Sequence, residues 1–298
     1  MAVAALPALS SDARTALLAW FDEAGRDLAF RASRDPWSVL VSEVMAQQTQ
    51  VPRVEAAWTR FMQRYPTPST LADATPADVI RAWQGMGYDR RALNLRRAAI
   101  VIRDAHGGRV PSDVETLDAL PGIGPYTARA VAAIAFGRAV GAVDTNVRRV
   151  LTRTLALDEP AVRLGALQAI ADASVDPERS GDWTHAMMDV GATLCRPRAT
   201  RCGGCPLRPW CASADGQTGL ARSPVRASTP PFTSTTRWLR GRIVDRLRAA
   251  DDGSWTRLDR PIGVHEADAV EGALRALARD GIVEIDSTDP DRARLATA

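Results

Sequence analysis

The sequence predicts a mainly α fold through about residue 215, followed by a small α+β appendage of winged-helix type. Three observations carry this. Apolar residues recur at helical spacing between Ser/Thr/Asp starts and Gly stops. No series of strands stands out before residue 215. After a stretch rich in Ser, Thr, Pro, Gly and Ala, the order is helix, short segment, helix, strand.

The elements follow in order. Ala16, Leu17, Ala19, Trp20 and Phe21 give residues 11 to 24 one apolar face. Asp35 followed by Pro36 reads as an N-cap with Pro at the first helical position, opening the helix "WSVLVSEVMA". "QQTQV" breaks that helix, and Pro52 lies near the start of "PRVEAAWTRFMQRY". Thr75 and Pro76 repeat the cap-and-proline start for "TPADVIRAWQGM". Gly107 stops the long helix "DRRALNLRRAAIVIRDAHGG". Ser112 and Glu115 read as a capping box for "SDVETLDAL". "LPGIGPYTARAV", residues 120 to 131, then reads as a hairpin between two helices, bracketed by Gly122 and Gly124. "TNVRRVLTRTLAL", "PAVRLGALQAIADASV" and "DWTHAMMDVGATLC" complete the helical run. Residues 216 to 234 read as a linker. Beyond it, Leu239, Ile243 and Leu247 share one face of "TRWLRGRIVDRLRAA", Gly281 stops "HEADAVEGALRALARDG", and "IVEID" is strand-like. The appendage reads either as a DNA-contacting wing or, with greater weight, as a packing element.

Bulk composition narrows the classes. The 298 residues suffice for two or three domains, and 46% hydrophobic with 24% charged residues is ordinary for a globular protein. No apolar run approaches a membrane span, and the start lacks a basic leader region, so the expected place is the cytoplasm. A net charge of +3 is only a weak pointer to nucleic acid. All 38 basic residues are arginine, which fits codon bias in a GC-rich genome. Whatever the cause, no lysine is present to act as a nucleophile or form a Schiff base.

The four cysteines, Cys195, Cys202, Cys205 and Cys211, have the spacing C-x6-C-x2-C-x5-C. Four thiols within 17 residues are poorly read as disulfides in a reducing compartment. They suit Zn(II) or an iron–sulfur cube, and a single compact loop fits [4Fe–4S] better than paired C-x2-C zinc sites. Arg196, Arg198, Arg201 and Arg208 lie among them and would offset the charge of a thiolate-bound cluster.

Two carboxylates stand out. Glu43 lies among Val39, Leu40, Val44 and Met45, so it reads as a part-buried acid kept protonated by desolvation, or as an ordinary surface Glu. Asp144 precedes "TNVRRV" and reads as an N-cap. It could also serve as an ionised carboxylate beside a protonated one, the arrangement that cleaves a glycosidic bond. Gly122 and Gly124 before a helix start could present N–H groups to a phosphate, a weak signal alone.

Together, "SEVMAQQTQV" (42 to 51), "GMGYDRRALNL" (85 to 95), "LPGIGPYTARAV", "VDTNVRRV" (143 to 150), "HAMMDVGATLC" (185 to 195) and the cysteine loop resemble the endonuclease III superfamily of helix-hairpin-helix DNA glycosylases. Within it the chain is similar to the A/G-specific adenine glycosylases, over residues 10 to about 215. The resemblance implies a two-lobed fold: a six-helix barrel at 29–139, an iron–sulfur domain from 1–28 and 140–215, then the linker at 216–234 and the small domain at 235–298. It implies a monomer that works on double-stranded DNA, excising adenine mispaired with 8-oxoguanine or guanine without a lyase step.

The implied roles are specific to residues. Glu43 would protonate adenine N7, and Asp144 would stabilise the sugar cation, with Tyr126 near the sugar and Asn146 beside the aspartate. Gln48 and Tyr88 would wedge into the base stack as adenine is flipped out, and Gly122 and Gly124 would clamp a phosphate. Phe30, Arg31 and His185 would line the base pocket, and the four cysteines would hold [4Fe–4S]. Some positions depart from the family pattern: Phe30 replaces Trp, Ala46 a common Leu, and His185 a Gln or Glu. The usual Nudix-like domain with its aromatic-Ser-His loop has no counterpart in the roughly 65 residues after the linker. The rival readings are a thymine or uracil mismatch glycosylase, a bifunctional glycosylase/lyase, which the missing lysine opposes, and a non-catalytic iron–sulfur DNA-binding protein.

Overall fold

A computed structural model describes residues 6–158, 161–214, 230–251 and 253–297. The helices are α1 (Ser11–Ala24), α2 (Pro36–Ala46), α3 (Val51–Arg64), α4 (Pro68–Ala72), α5 (Pro76–Ala82), α6 (Arg90–His106), α7 (Val114–Asp118), α8 (Pro125–Phe136), α9 (Thr145–Thr154), α10 (Leu164–Ser174), α11 (Ser180–Asp189), α12 (Thr236–Arg248) and α13 (Ala267–Arg279). Three short strands accompany the last two: β1 (Thr256–Arg257), β2 (Val283–Ile285) and β3 (Arg292–Leu295). The chain is mainly helical, as the sequence predicts, with its sheet confined to the C-terminal region.

The described residues fall in two compact units, one lying within Met1–Glu43, Pro111–Ala119 and Ile123–Arg222, the other within Val44–Val110, Leu120–Gly122 and Ser223–Ala298. The first unit is built on α1, α9, α10 and α11, whose Leu17, Leu151, Leu167, Trp183 and Met187 form one buried cluster. Asp144 caps α9, accepting from the N–H groups of Asn146 and Val147. α11 does not stop at Asp189 but runs on as a wider π-type turn over Val190–Leu194 and delivers Cys195. Such turns favour functional sites.

The second unit packs α4 against α6, burying Phe61, Leu71, Trp83, Leu95 and Ile102. Gly107 ends α6 at φ +59°, a conformation that favours glycine. The C-terminal residues belong to this unit. Leu239, Ile243 and Leu247 of α12 are buried on the predicted face, and the antiparallel sheet has the order β1-β3-β2. Arg248 leaves α12 to pair with Asp89 and donates to the Ile80 carbonyl. Both partners are about nine-tenths buried, so the pair ties the appendage to the α5–α6 region.

Four local expectations need correction. The N-cap of α7 is Asp113, not Ser112. The Asp113 carboxylate accepts from Thr116 N at 2.8 Å, while Ser112 Oγ accepts from Arg138. α4 was missed because five residues are too few to show periodicity. β1 and β3 were missed because two- and four-residue strands carry little alternation. The helix expected from residue 160 starts at Leu164, and residues 159–160 lie outside the described residues. Most of the expected linker, 216–229, also lies outside them; Phe232–Ser234 form a single 3-10 turn.

Candidate active site and nucleic-acid contacts

In the first unit, α2 carries Glu43 to a position that is 8% exposed. α8 begins at Pro125 and carries Tyr126, whose hydroxyl donates to Glu43 Oε2 at 3.1 Å and lies 3.8 Å from the Met188 sulfur. Burial pushes the Glu43 carboxyl up to about 7; the Tyr126 hydrogen bond and Arg31 pull the other way, and the Asp144 charge adds to the rise. Glu43 is therefore a carboxyl that still holds its proton near neutrality. Burial, then Glu43 and Asp144, hold the Tyr126 phenol well above its ordinary value, so its hydroxyl stays a donor.

Asp144 is the second carboxylate. Its Oδ1 accepts two backbone N–H groups at 2.8 and 2.7 Å, and its Oδ2 accepts Asn146 Nδ2 at 2.8 Å. Arg149 fixes that amide by donating Nη2 to Asn146 Oδ1 at 2.8 Å, while its Nε donates to the Cys195 carbonyl at 2.7 Å. Gly191 lets the helix turn pass close, because a Cβ there would sit 2.5 Å from Asn146 Cβ.

Around these groups, Arg31 and Arg26 both grip the fully buried Asp189. Burial alone would raise that carboxyl, but the hydrogen bonds and charge of Arg31, with those of Arg26, hold it below its ordinary value. Phe30 is buried in the 3-10 turn that precedes α2. His185 packs on Phe21 with ring centroids 6.2 Å apart. Burial, then Arg31, pushes the imidazole down to about 3, so it is neutral.

The four cysteines form no disulfide with one another and are half-buried. Burial pushes the Cys205 thiol up to about 11, and the other three thiols all bear on it. Arg153 Nη1 lies 3.5 Å from Cys195 Sγ. Among the described residues no set of three or more His, Cys, Asp or Glu already has metal-holding geometry. The donor set itself, four thiols on one loop with N–H groups aimed at sulfur, suits a soft-metal cluster.

The second unit holds Gln48 and Tyr88. Both are exposed, and both take positive φ, 56° and 50°, costly for residues with a Cβ. Arg91 holds the two turns. Its Nη1 donates to the carbonyls of Val44, Met45 and Gln47, and its Nη2 to Thr49 Oγ1 and the carbonyls of Met86 and Gly87. Burial pushes this guanidinium down to about 10, so it remains charged. Arg91→Met should strand these acceptors and lower unfolding free energy by about 3–5 kcal/mol, measured by urea denaturation. Gly122 has φ +78°, and a Cβ there would lie 2.5 Å from Asn94 Cβ. Gly124, in the first unit, is the N-cap of α8.

The sequence missed Asp189, Arg26, Arg149 and Arg91. Each has at least one partner more than forty residues away, which no local spacing signals.

A family model described as "HhH-GPD superfamily base excision DNA repair protein" matches residues 41–164. A Mycobacterium tuberculosis protein named adenine DNA glycosylase is 44% identical over 245 residues, 80% of this chain and 79% of its own. Its Mycolicibacterium smegmatis namesake is 41% identical over 274 residues, 90% and 91%. The human namesake is 42% identical over 210 residues, 66% of this chain but 38% of its own. Among solved structures, a thermostable thymine-DNA glycosylase aligns with TM-score 0.63 at 27% identity, covering 67% of this chain and 93% of its own. A trapped endonuclease III–DNA covalent intermediate aligns with TM-score 0.58 at 25% identity, covering 67% and 92%.

Proposed function

This chain belongs to the adenine DNA glycosylase family of the HhH-GPD superfamily of base excision DNA repair proteins, and from that premise we propose that it hydrolyses the N-glycosidic bond of adenine mispaired with 8-oxoguanine or guanine. The observation that carries the reading is a buried, proton-holding Glu43 within hydrogen-bond reach of Tyr126 and under the field of the Asp144 carboxylate. Glu43 delivers its proton to adenine N7, which turns the base into a leaving group. Asp144, oriented by Asn146, faces the positive charge that develops on the sugar. Glu43, now ionised, accepts a proton from the water that attacks C1′, and the abasic sugar results. Tyr126 holds the Glu43 carboxyl in place throughout.

Phe30, Arg31 and the neutral His185 form the pocket side in this reading. Gln48 and Tyr88 fill the gap left by the flipped base. Gly122 and Gly124 hold a phosphate at the start of α8. The division into a barrel at 29–139 and a cluster domain from 1–28 and 140–215 belongs to the same proposal, as do a monomeric state and a cytoplasmic location. No helix among the described residues is long and apolar enough to cross a membrane. Cys195, Cys202, Cys205 and Cys211 would hold a [4Fe–4S] cluster, which would tie their loop together through four sulfur ligands.

With no lysine in the chain, the enzyme should stop at the abasic site. Single-turnover assays on duplexes with A opposite 8-oxoguanine, A opposite G and T opposite G test this. Adenine should leave from the first two, with no strand nicking and no borohydride-trapped adduct. Release of thymine alone would sink the proposal in favour of a mismatch thymine glycosylase.

A further inference from the structure

The groups that bear on the Glu43 carboxyl are Tyr126 on α8, Asp144 at the start of α9 and Arg31 in the turn before α2, and Arg31 is the cation among them. A carboxyl beside a free guanidinium gives up its proton and forms an ion pair. Here both terminal nitrogens of Arg31 go to a different carboxylate. Nη1 donates to Asp189 Oδ2 and Nη2 to Asp189 Oδ1, each at 2.9 Å. Glu43 keeps the Tyr126 hydroxyl as its donor.

The fork is built to stay where it is. Asp189 closes α11, and its side chain is fully buried. Arg26 holds it as well, through its backbone N–H at 2.9 Å and its Nε at 2.7 Å. With two guanidinium groups on one carboxylate, Asp189 remains ionised despite its burial. The other groups facing the cluster do not compete for Arg31. His185 on α11 is neutral, and Arg34, which also bears on it, is paired with Asp182. Fold stability does not account for Asp189, since a buried ion pair commonly adds no more than apolar side chains of the same volume. Arg31 also keeps its Nε buried without a partner, a further cost of holding the group in this one position.

We propose that Asp189 is a positioning residue for base excision: by engaging both terminal nitrogens of Arg31 it denies that guanidinium to Glu43, which thereby keeps the proton it delivers to adenine. The inference rests on the glycosylase reading for the reaction, and on the Arg31–Asp189 fork for the device. An asparagine at 189 has one acceptor oxygen left and turns an N–H face toward Arg31. The released guanidinium then pairs with Glu43, and the acid ionises at a pH where the parent still holds its proton.

The test is the pH dependence of single-turnover adenine excision by the full chain. Asp189→Asn should move the alkaline limb about 1–2 pH units lower, the size of shift a guanidinium imposes on an adjacent carboxyl. Its rate should then fall about ten- to a hundredfold below the parent above neutrality and converge on the parent toward about pH 5. A merely structural role for Asp189 would lower the rate equally at every pH, and an unmoved limb overturns the proposal. Arg31→Met leaves Asp189 on Arg26 and serves where the Asn variant does not fold. Its limb should move to higher pH, because the charge that pulls the acid down is gone, and an unmoved limb there also overturns the proposal. Adding Asp189→Asn to Arg31→Met should produce no downward shift; a limb as low as that of Asp189→Asn alone would show that Arg31 is not the intermediary. Absence of adenine excision by the parent chain would fail the glycosylase reading instead, so the two failures are distinguishable.

Discussion

Glu43→Gln should lower the single-turnover rate of adenine excision by about 10²–10⁴-fold while leaving affinity for mismatched duplex within a few-fold of the parent. Gln keeps the shape and still accepts from the Tyr126 hydroxyl, but it has no proton to give adenine N7. The parent should also show a falling rate as pH rises through about 7, because the acid form is the active one. Stability should fall in the same direction of pH. The folded-state value of Glu43, about 7, lies above its ordinary 4.5, so between these limits the folded protein holds the extra proton and stability declines as pH rises. Above pH 7 the full penalty applies, on the order of 3 kcal/mol. Glu43→Gln removes it, so the variant should be more stable than the parent at pH 8 and lose that advantage below about pH 4.5. A variant that excises adenine at the parental rate would remove Glu43 from the chemistry.

The burial that makes Glu43 an acid also costs stability, and the sequence pointed to that burial. Burial of Glu43 was legible because Val39, Leu40, Val44 and Met45 surround it on α2, and all four are indeed buried. The cap at Asp144 was legible because it needs only the next three residues. The supports of these groups were not legible. Asp189 meets Arg31 across 158 positions, and Arg91 reaches the Met45 carbonyl across 46. The positive φ of Gln48 and Tyr88 had no sequence sign, since neither residue favours that conformation. For the appendage, the sequence gives more weight to packing than to a DNA-contacting wing. The buried Arg248–Asp89 pair gives the packing reading a physical basis.

Asp144→Asn should separate the two roles of that residue. Asn is about as good an N-cap as Asp, so α9 should keep its start. The new amide nitrogen would face Asn146 Nδ2, which now donates to Asp144 Oδ2, so one hydrogen bond worth about 1 kcal/mol is lost. Unfolding free energy should therefore fall by no more than about 1–2 kcal/mol. Excision should fall further, on the order of 10²–10³-fold, because the negative charge opposite the developing sugar cation is gone. The pH profile supplies an independent readout. The Asp144 charge helps hold the Glu43 carboxyl high, so removing it should move the alkaline limb of the remaining activity to lower pH. Asp144→Ala adds the loss of the cap, about 1 kcal/mol more, with little further change in rate. If Asp144→Asn excised adenine as fast as the parent with an unmoved pH limb, Asp144 would be a helix cap alone, and charge stabilisation of the sugar would have to come from elsewhere.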